Sequence, residues 1–205
     1  MKSKLIIILV FAITTGTEAQ TIYDNYLSFS WDYNLPLTNK NFISNGSSLG
    51  FQIGFRKKFD RFYVGADINN ATYSEHTARQ TLYADNSATT TDTYNYIYSY
   101  GFTLNGDYIF RPFKKFMPFV GLGIGANSFS YKTYYNIYTS GDSGLGALFR
   151  PQAGFLMKLG QDSKIAITGV VHYDYSTVES TIFNYSGFSA IGFRLGVALN
   201  LKSDK

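Results

Sequence analysis

Three side chains that could carry hydrolytic chemistry alternate along one short segment: His172, Asp174 and Ser176. A serine hydroxyl becomes a nucleophile when a histidine within hydrogen-bond distance takes its proton and a carboxylate orients the imidazole. On a strand, residues two apart are separated by about 6.6 Å and residues four apart by about 13 Å. Ser176 is therefore out of reach of His172 unless the chain bends sharply, and we expect an inward-facing histidine hydrogen-bonded to a neighbour.

Two short glycine-containing motifs resemble functional ones. Residues 141–144, Gly-Asp-Ser-Gly, copy the tetrapeptide around the nucleophile of trypsin-like proteases, but neither His76 nor His172 has the sequence context expected of its base. Residues 121–125, Gly-Leu-Gly-Ile-Gly, alternate glycine with apolar residues, whereas a phosphate-binding glycine loop lies between a strand and a helix. We interpret the first motif as a glycine-rich loop and the second as close packing within a sheet.

Metal, cofactor and nucleic-acid binding find little support in the composition. The chain has no cysteine and two isolated histidines, so it offers neither a disulfide framework nor a thiolate metal site. The carboxylates of Asp85 and Asp92 would bind Ca²⁺ only weakly. A net charge of +4 with no long basic run does not indicate a nucleic-acid partner. We expect no metal, no cofactor and no nucleic acid.

The first nineteen residues have the pattern of a cleaved signal peptide. Lys2 and Lys4 form a positive start, residues 5–13 are apolar, and residues 17–19, Thr-Glu-Ala, provide a small-residue cleavage site. Nine apolar residues are too few for a membrane-spanning helix, which needs roughly 20. The predicted organisation is a signal peptide over residues 1–19 and one domain over residues 20–205.

Beyond the leader, the dominant signal is alternation with period two, the period of a strand with two different faces. Eight segments show it, in a chain with 18% aromatic residues and 19 glycines. The fourth segment places Tyr94, Tyr96, Tyr98, Tyr100, Phe102, Leu104, Tyr108 and Phe110 on one face and Asn95, Ser99, Gly101, Thr103, Asn105 and Asp107 on the other. A helix would not sort residues in this way.

Connector lengths predict how these strands are joined. Long polar connectors at 33–48, 74–93, 131–147 and 176–187 alternate with short ones at 57–61, 111–116 and 160–163. A strict alternation of long and short connectors is typical of transmembrane barrels, with short turns in the periplasm and long loops outside. The sequence therefore predicts an all-β fold, an eight-stranded antiparallel up-and-down transmembrane β-barrel, with a tight turn at residues 60–61.

The two faces differ in bulk as well as in polarity. Tyr, Phe and Leu dominate the apolar face, while the polar face is rich in Gly and Ala, and a small barrel has room inside only for small residues. We therefore expect the apolar face to meet lipid and the polar face to line the lumen. Ten charged residues are predicted to form a balanced lumen network that closes the barrel to diffusion: Asp24, Asp32, Asp67, Asp107, Asp174, Arg56, Arg150, Lys158, Lys164 and Arg194.

On this strand count, connector rhythm and inward glycine pattern, residues 21–201 resemble the eight-stranded outer-membrane barrels of the OmpX and OmpA membrane-domain type, and related barrel proteins common in the Bacteroidota. The resemblance implies the outer membrane, with outer-membrane lipid, lipopolysaccharide and the barrel-assembly machinery as partners. Such barrels often end in an aromatic residue, whereas here Leu201 is followed by Lys202-Ser203-Asp204-Lys205. The expected function is a non-enzymatic scaffold or surface-recognition protein that meets a surface partner through four outer loops.

Two alternatives remain open. Glu179 follows the His172 segment, and the set resembles that of outer-membrane lipid A deacylases, which would imply a lipid-modifying enzyme. That family spaces its His and Ser two residues apart, but Asp174 occupies that position here, and the alternation turns His172 into the lumen. The second alternative is a narrow channel or a barrel that binds a small apolar ligand.

Overall fold

The computed structural model describes residues 23–84, 87–110, 115–160, 163–180, 182–183 and 185–201. The predicted signal peptide and Asp85 lie outside these residues. The described part contains eight strands: β1 (Asn25–Pro36), β2 (Ser47–Phe59), β3 (Phe62–Ala84), β4 (Ser87–Ile109), β5 (Phe116–Tyr135), β6 (Tyr138–Lys158), β7 (Ile165–Ser180) and β8 (Tyr185–Asn200). Within it, no helix is long and apolar enough to cross a bilayer.

The strands pair in chain order and close on themselves. Each strand is antiparallel to the next, and β1 pairs with β8 from Tyr26↔Asn200 to Pro36↔Ala190. Each described strand therefore has a partner strand on both sides. This is required in a lipid bilayer, because its hydrocarbon core has no water to bond to unpaired backbone groups. The predicted fold class, an eight-stranded antiparallel up-and-down barrel, is confirmed.

Alternate side chains of each strand face the inside and the outside of the barrel wall. On β4, Leu104 is 61% exposed while Thr103 and Asn105 are buried. The same rule exposes the apolar residues of β2 at Phe51 and Ile53. The outward side chains form an apolar band of the kind that faces lipid, and the inward ones are largely polar.

The end of the barrel with the short connectors is called the turn end, and the opposite end is called the loop end. The tight turn between β2 and β3 is present, and Asp60 adopts φ 54°, a left-handed conformation that Asp tolerates better than most residues. The β6–β7 pairing is interrupted at Pro151, between Phe149↔Tyr175 and Gln152↔His172, because proline has no N–H to donate.

Two connectors that the sequence predicts as loops are strands instead. Residues 74–84 and 87–93 extend the β3–β4 hairpin, and residues 131–135 and 138–147 extend the β5–β6 hairpin, with pairing up to Ala84↔Ser87 and Tyr135↔Tyr138. The polarity of these segments suggested loops, but their Thr and Tyr residues have high strand propensity, and cross-strand contacts such as Thr81 Oγ1 to Thr90 Oγ1 at 2.9 Å connect the arms.

The connector between β1 and β2, residues 37–46, folds inward across the loop end. Ile43 is buried, and the Phe42 ring lies 4.7 Å from the Phe183 ring. The carboxylate of Glu75 accepts hydrogen bonds from the Ser44 and Asn45 amides and from the Ser44 hydroxyl. This connector therefore covers the mouth of the barrel.

Candidate functional site: the barrel interior and the outer sheet

Arg56 on β2 organises one half of a charged network in the middle of the lumen. Its Nη1 and Nη2 donate to the two carboxylate oxygens of Asp67 at 2.5 and 2.9 Å, and its Nε donates to Asp107 at 2.7 Å. All three side chains are buried. A guanidinium has its donors in a planar fork, so one arginine can neutralise and orient two carboxylates at once.

Arg150 on β6 organises the other half. It lies opposite Asp174 in the antiparallel register, and its Nε and Nη2 bind the two carboxylate oxygens at 2.5 and 2.6 Å. Its Nη1 donates to Asn69 Oδ1 at 3.1 Å. Arg150 is 0% exposed, so its charge depends on these partners for the stabilisation that water would otherwise supply.

Gln152 joins the Arg56 half of the network to Arg194 on β8. The amide of Gln152 donates to Asp107 at 2.6 Å and accepts from Arg194 Nη2 at 2.5 Å. Arg194 Nη1 also lies 3.8 Å from Asp67 Oδ2. The network therefore runs continuously across the lumen from β2 to β8.

His172 lies beside Asp32 and Asp174 of this network. Its Nε2 lies 3.2 Å from Asn34 Oδ1, 3.7 Å from Asp32 Oδ1 and 3.9 Å from Asp174 Oδ2. The hydroxyl of Ser176 instead donates to Asn127 Oδ1 at 2.7 Å. The imidazole and the serine hydroxyl are thus committed to different partners and are not arranged as a nucleophile and its base.

The Gly-Asp-Ser-Gly motif, predicted as a loop, lies on β6. Asp142 Oδ2 accepts a hydrogen bond from Ser180 at 2.6 Å, and Asp142 Oδ1 accepts from the Ser143 amide at 2.8 Å. Ser143 is exposed and pairs with Ser130 across the sheet. In these contacts the motif is part of the barrel wall at the loop end.

Seven of the ten residues predicted to line the lumen come together in the network: Asp32, Asp67, Asp107, Asp174, Arg56, Arg150 and Arg194. Lys158 is buried, but nearer the turn end, with its ammonium 4.7 Å from the Tyr23 ring centroid. The prediction is wrong for Asp24 and Lys164, which are exposed. Both precede the first residue of a strand, where alternation no longer fixes the direction of a side chain.

Two apolar layers, which were not among the predicted lumen residues, enclose the network. The turn-end layer consists of Tyr23, Tyr26, Tyr63, Ile109, Met117, Phe119, Leu156, Ala166, Val170 and Ala198. The loop-end layer consists of Ile43, Ala71, Tyr73, Ile97, Phe129, Tyr131, Val178, Phe188 and Ala190, with Phe42 and Phe183 packed against it. Alternation could have predicted them, because within each strand the side chains of these layers occupy the same inward positions as the charged residues in the middle of the barrel.

Inward glycines provide the space that the charged side chains occupy. A Cβ at Gly121 would overlap Asp107 Oδ1, and one at Gly54 would overlap Asp67 Oδ1. The interpretation of residues 121–125 as close packing in the lumen agrees with this geometry. Between the network and the loop-end layer lies a cavity of about 10 Å³, lined in part by Asp174 and Phe129, which has room for about one water.

Above the apolar band, the extended hairpins form a four-stranded sheet, β3-β4-β5-β6, which we call the outer sheet; it comprises residues 73–84, 87–98, 130–135 and 138–143. Its outward face carries a tyrosine ladder on β4. The Tyr96 ring lies 6.0 Å from Tyr98 and 5.8 Å from Tyr134, and the His76 ring stacks on Tyr94 at 4.6 Å. This face offers aromatic and polar groups to the outside.

No protein-family model and no curated protein sequence matches the chain. Solved structures similar to it include Neisserial surface protein A, 12% identical with a TM-score of 0.56, covering 90% of this chain and 100% of that one. Ail, the attachment invasion locus protein of Yersinia pestis, is 13% identical with a TM-score of 0.48, covering 85% and 95%. The outer-membrane protease OmpT of Escherichia coli is 8% identical with a TM-score of 0.47, covering 92% and 100%.

At these identities the likeness shows the fold alone. The chain has the fold of the small outer-membrane β-barrels of the OmpX and OmpA type, and its place is the outer membrane, because its apolar band requires lipid. The resemblance to barrels of the Bacteroidota stays a prediction. A shared fold does not determine function, which depends on the residues of this chain.

Proposed function

We propose that this protein is a non-enzymatic outer-membrane barrel with a closed lumen, which serves as a membrane scaffold and presents its outer sheet for recognition at the cell surface. The observation that carries the proposal is the division of the molecule into a filled barrel and a projecting polar sheet. The filled interior gives the barrel rigidity, and the outer sheet gives it reach beyond the membrane.

The interior supports closure in two ways. Arg56 and Arg150 in the middle are hydrogen-bonded to carboxylates, and moving either aside would leave its partner's charge uncompensated. The two apolar layers and the connector 37–46 lie across both ends. A barrel of eight strands has an interior that side chains can fill, in contrast to the water-filled channels of larger porins.

Planar-bilayer recording tests the closed lumen. The full chain refolded into lipid is expected to give no stable conductance above leak at moderate voltage, with a known porin recorded in the same bilayers as the positive control. A reproducible open level would contradict closure and favour the narrow-channel alternative.

Exchange of the projecting ends of the two extended hairpins, residues 74–93 and 131–147, which we call the hairpin arms, tests surface recognition. Replacing residues 74–93 and 131–147 with short turns is expected to abolish binding of cells that carry the protein to host or environmental surfaces. Replacing the turn-end residues 57–61 with an equally short turn, the matched control, leaves binding unchanged. Recognition through the outer sheet is wrong if the arms can be exchanged without effect on any binding or envelope phenotype.

The surroundings of the barrel follow from the same division. Outer-membrane lipid meets the apolar band, lipopolysaccharide saccharide lies at the height of the tyrosine ladder, and the barrel-assembly machinery inserts the chain.

The rival lipid-modifying activity is tested by mass spectra of lipid A from cells with the protein, without it and with His172→Ala. Identical spectra are expected, and a modification that depends on His172 would overturn the non-enzymatic assignment.

A further inference from the structure

An open groove lies on the outer sheet at a step between its two hairpins. The β4–β5 pairing ends at Thr93↔Tyr135, while the β3–β4 hairpin continues to Ala84↔Ser87. The groove has a volume of about 520 Å³, within the range of small-molecule sites. Its lining consists of Arg79, Thr90, Thr91, Asp92, Tyr94, Tyr134 and Asn136.

Two tyrosines form the aromatic part of this groove. Tyr94 and Tyr134 are directly opposite each other across β4 and β5, and they are 43% and 36% exposed. Directly paired residues have Cβ atoms about 5 Å apart, so their side chains are neighbours on the same face of the sheet. A tyrosine ring has apolar faces and a polar hydroxyl, which suits a ligand that is itself apolar on one side and polar at its rim.

The remaining lining offers a mixed set of hydrogen-bonding groups. Asp92 only accepts, Arg79 only donates, and Asn136 with the two threonines can do both. Asp92 also lies 3.5 Å from His76 Nε2, with both side chains about half exposed, so its carboxylate remains accessible. A ligand with many hydroxyl groups, each both donor and acceptor, would satisfy this set.

The lining also argues against two other ligand classes. Arg79 and Asp92 have opposite charges, so the groove has no excess charge of the kind that would select a polyanion. An extended peptide that adds to a sheet edge is recognised through main-chain hydrogen bonds and pockets for alternate side chains, whereas this groove offers two neighbouring rings and a rim of polar side chains. The neighbouring rings and the mixed polar rim favour a saccharide.

We propose that the groove between the two hairpin arms binds a neutral saccharide, with the apolar face of a pyranose ring on Tyr94 and Tyr134. The hydroxyl groups of the ring bond to Asp92, Arg79 and Asn136. This inference deepens the proposed recognition function, since it names the ligand class of the outer sheet. The saccharide comes either from lipopolysaccharide of the same membrane or from a foreign glycan.

The test uses the full chain in phospholipid nanodiscs. The probes are maltohexaose, mannopentaose and chitopentaose, with a sulfated hexasaccharide as the charged comparison, and affinity is measured by calorimetry. At least one neutral probe is expected to bind. Tyr94→Ala/Tyr134→Ala is expected to weaken this binding at least tenfold, and Asp92→Asn to weaken it by a smaller factor.

Tyr138→Ala is the matched control. Tyr138 is 54% exposed and lies at the same height on the β5–β6 hairpin, but it pairs with Tyr135 and is not part of the groove lining. Its loss is expected to leave binding unchanged. Circular dichroism and resistance of the folded barrel to unheated detergent verify that each variant is folded.

Three results would overturn the saccharide site: no neutral probe binds, the double tyrosine variant binds as well as the wild type, or only the sulfated probe binds in a salt-dependent way. A separate arm identifies the source of the ligand. If lipopolysaccharide fills the groove, nanodiscs with complete lipopolysaccharide weaken binding of the free probe and nanodiscs with lipid A alone do not. If the ligand is foreign, both nanodiscs leave probe affinity unchanged.

The outcomes separate this inference from the proposed function. If arm exchange abolishes surface binding but the tyrosine variants bind every saccharide normally, the groove inference fails and the recognition function stands. If the groove binds a saccharide but the arms can be exchanged without consequence, the recognition function fails and the saccharide site stands.

Discussion

At the residue scale, the lumen combines charges that would be costly if buried singly with glycines that make room for them. A buried ion pair gives little net stability compared with an apolar replacement of similar shape, but removing one partner leaves an uncompensated charge. Arg150 and Asp174 illustrate this asymmetry, because two hydrogen bonds join them directly across β6 and β7.

Replacing Arg150 with Met is expected to lower the free energy of unfolding by about 3–5 kcal/mol, because the partly buried Asp174 carboxylate then lacks its guanidinium partner. Arg150→Met/Asp174→Leu should recover most of this loss. Guanidinium titration of the barrel in lipid vesicles measures both, with Arg79→Met at an exposed site as the control. The charge argument is wrong if the double variant is as unstable as the single one.

Gly121→Ala is expected to cost about 1–3 kcal/mol, because the new methyl group would overlap a carboxylate that Arg56 and Gln152 hold in place. Gly106→Ala is the matched control: it lies on β4, beside Gly121, and its Cβ would meet open space. The same titration compares the two variants. Equal unfolding midpoints for them would contradict the role of Gly121 in seating Asp107.

At the element scale, the loop end depends on contacts between pieces that are distant in sequence. Asn95 Nδ2 donates to the Phe42 carbonyl at 3.0 Å, and Glu75 holds the backbone of Ser44 and Asn45. The connector 37–46 is therefore fastened to β3 and β4 rather than to its own neighbours β1 and β2 alone. Its position over the mouth depends on a few polar contacts outside the membrane.

Acid is expected to loosen this connector. Partial burial alone would raise the pKa of Glu75, but hydrogen bonds from Ser44 and Asn45 outweigh it and hold the pKa below its ordinary value of 4.5. A carboxyl whose pKa is lowered by folding stabilises the fold fully above its unfolded pKa, and this contribution disappears as pH falls through the lower folded value.

Hydrogen exchange of residues 40–46 measures the effect. Protection, corrected for the intrinsic pH dependence of exchange, should fall below about pH 4.5 in the wild type, and Glu75→Gln should show reduced protection already at pH 7 with no further acid-induced loss. Glu179→Gln, an exposed carboxyl on β7, is the control. Unchanged protection in Glu75→Gln would show that packing of Phe42 and Ile43 alone holds the connector.

At the scale of the whole molecule, the apolar band and the polar outer sheet determine how the barrel sits in the membrane. On β4 the outward residues from Tyr100 to Tyr108 form the band, and the tyrosine ladder from Tyr98 to Tyr94 continues above it. Tyrosine suits this boundary because its ring is apolar and its hydroxyl is polar.

Leu104→Arg is expected to destabilise the membrane-inserted barrel by about 2–4 kcal/mol, the cost of arginine on the lipid face near the bilayer midplane. Ser74→Arg, outward on β3 but above the band, should have little effect. Unfolding from vesicles by guanidinium measures both. If the two substitutions cost the same, the assignment of the membrane boundary on β4 is wrong.

The sequence by itself determined the strand pattern, the sidedness of each strand and most of the lumen network. Side chains alternate in any strand, so the inward direction of Arg56, Arg150 and their partners followed once the strands were recognised. Which carboxylate each arginine binds depends on strand register. The same reasoning failed for Asp24 and Lys164, because they precede the strands whose alternation would have aimed them inward.

Only the tertiary structure decided what lies beyond the membrane. Whether a polar segment such as 74–93 is a loop or a strand depends on a partner strand, and strand preference is largely a property of neighbouring side chains. The apolar layers, the connector over the mouth and the groove between Tyr94 and Tyr134 all arise from contacts between residues far apart in sequence. Local periodicity contains no information about such contacts, because only the closed barrel brings these residues together.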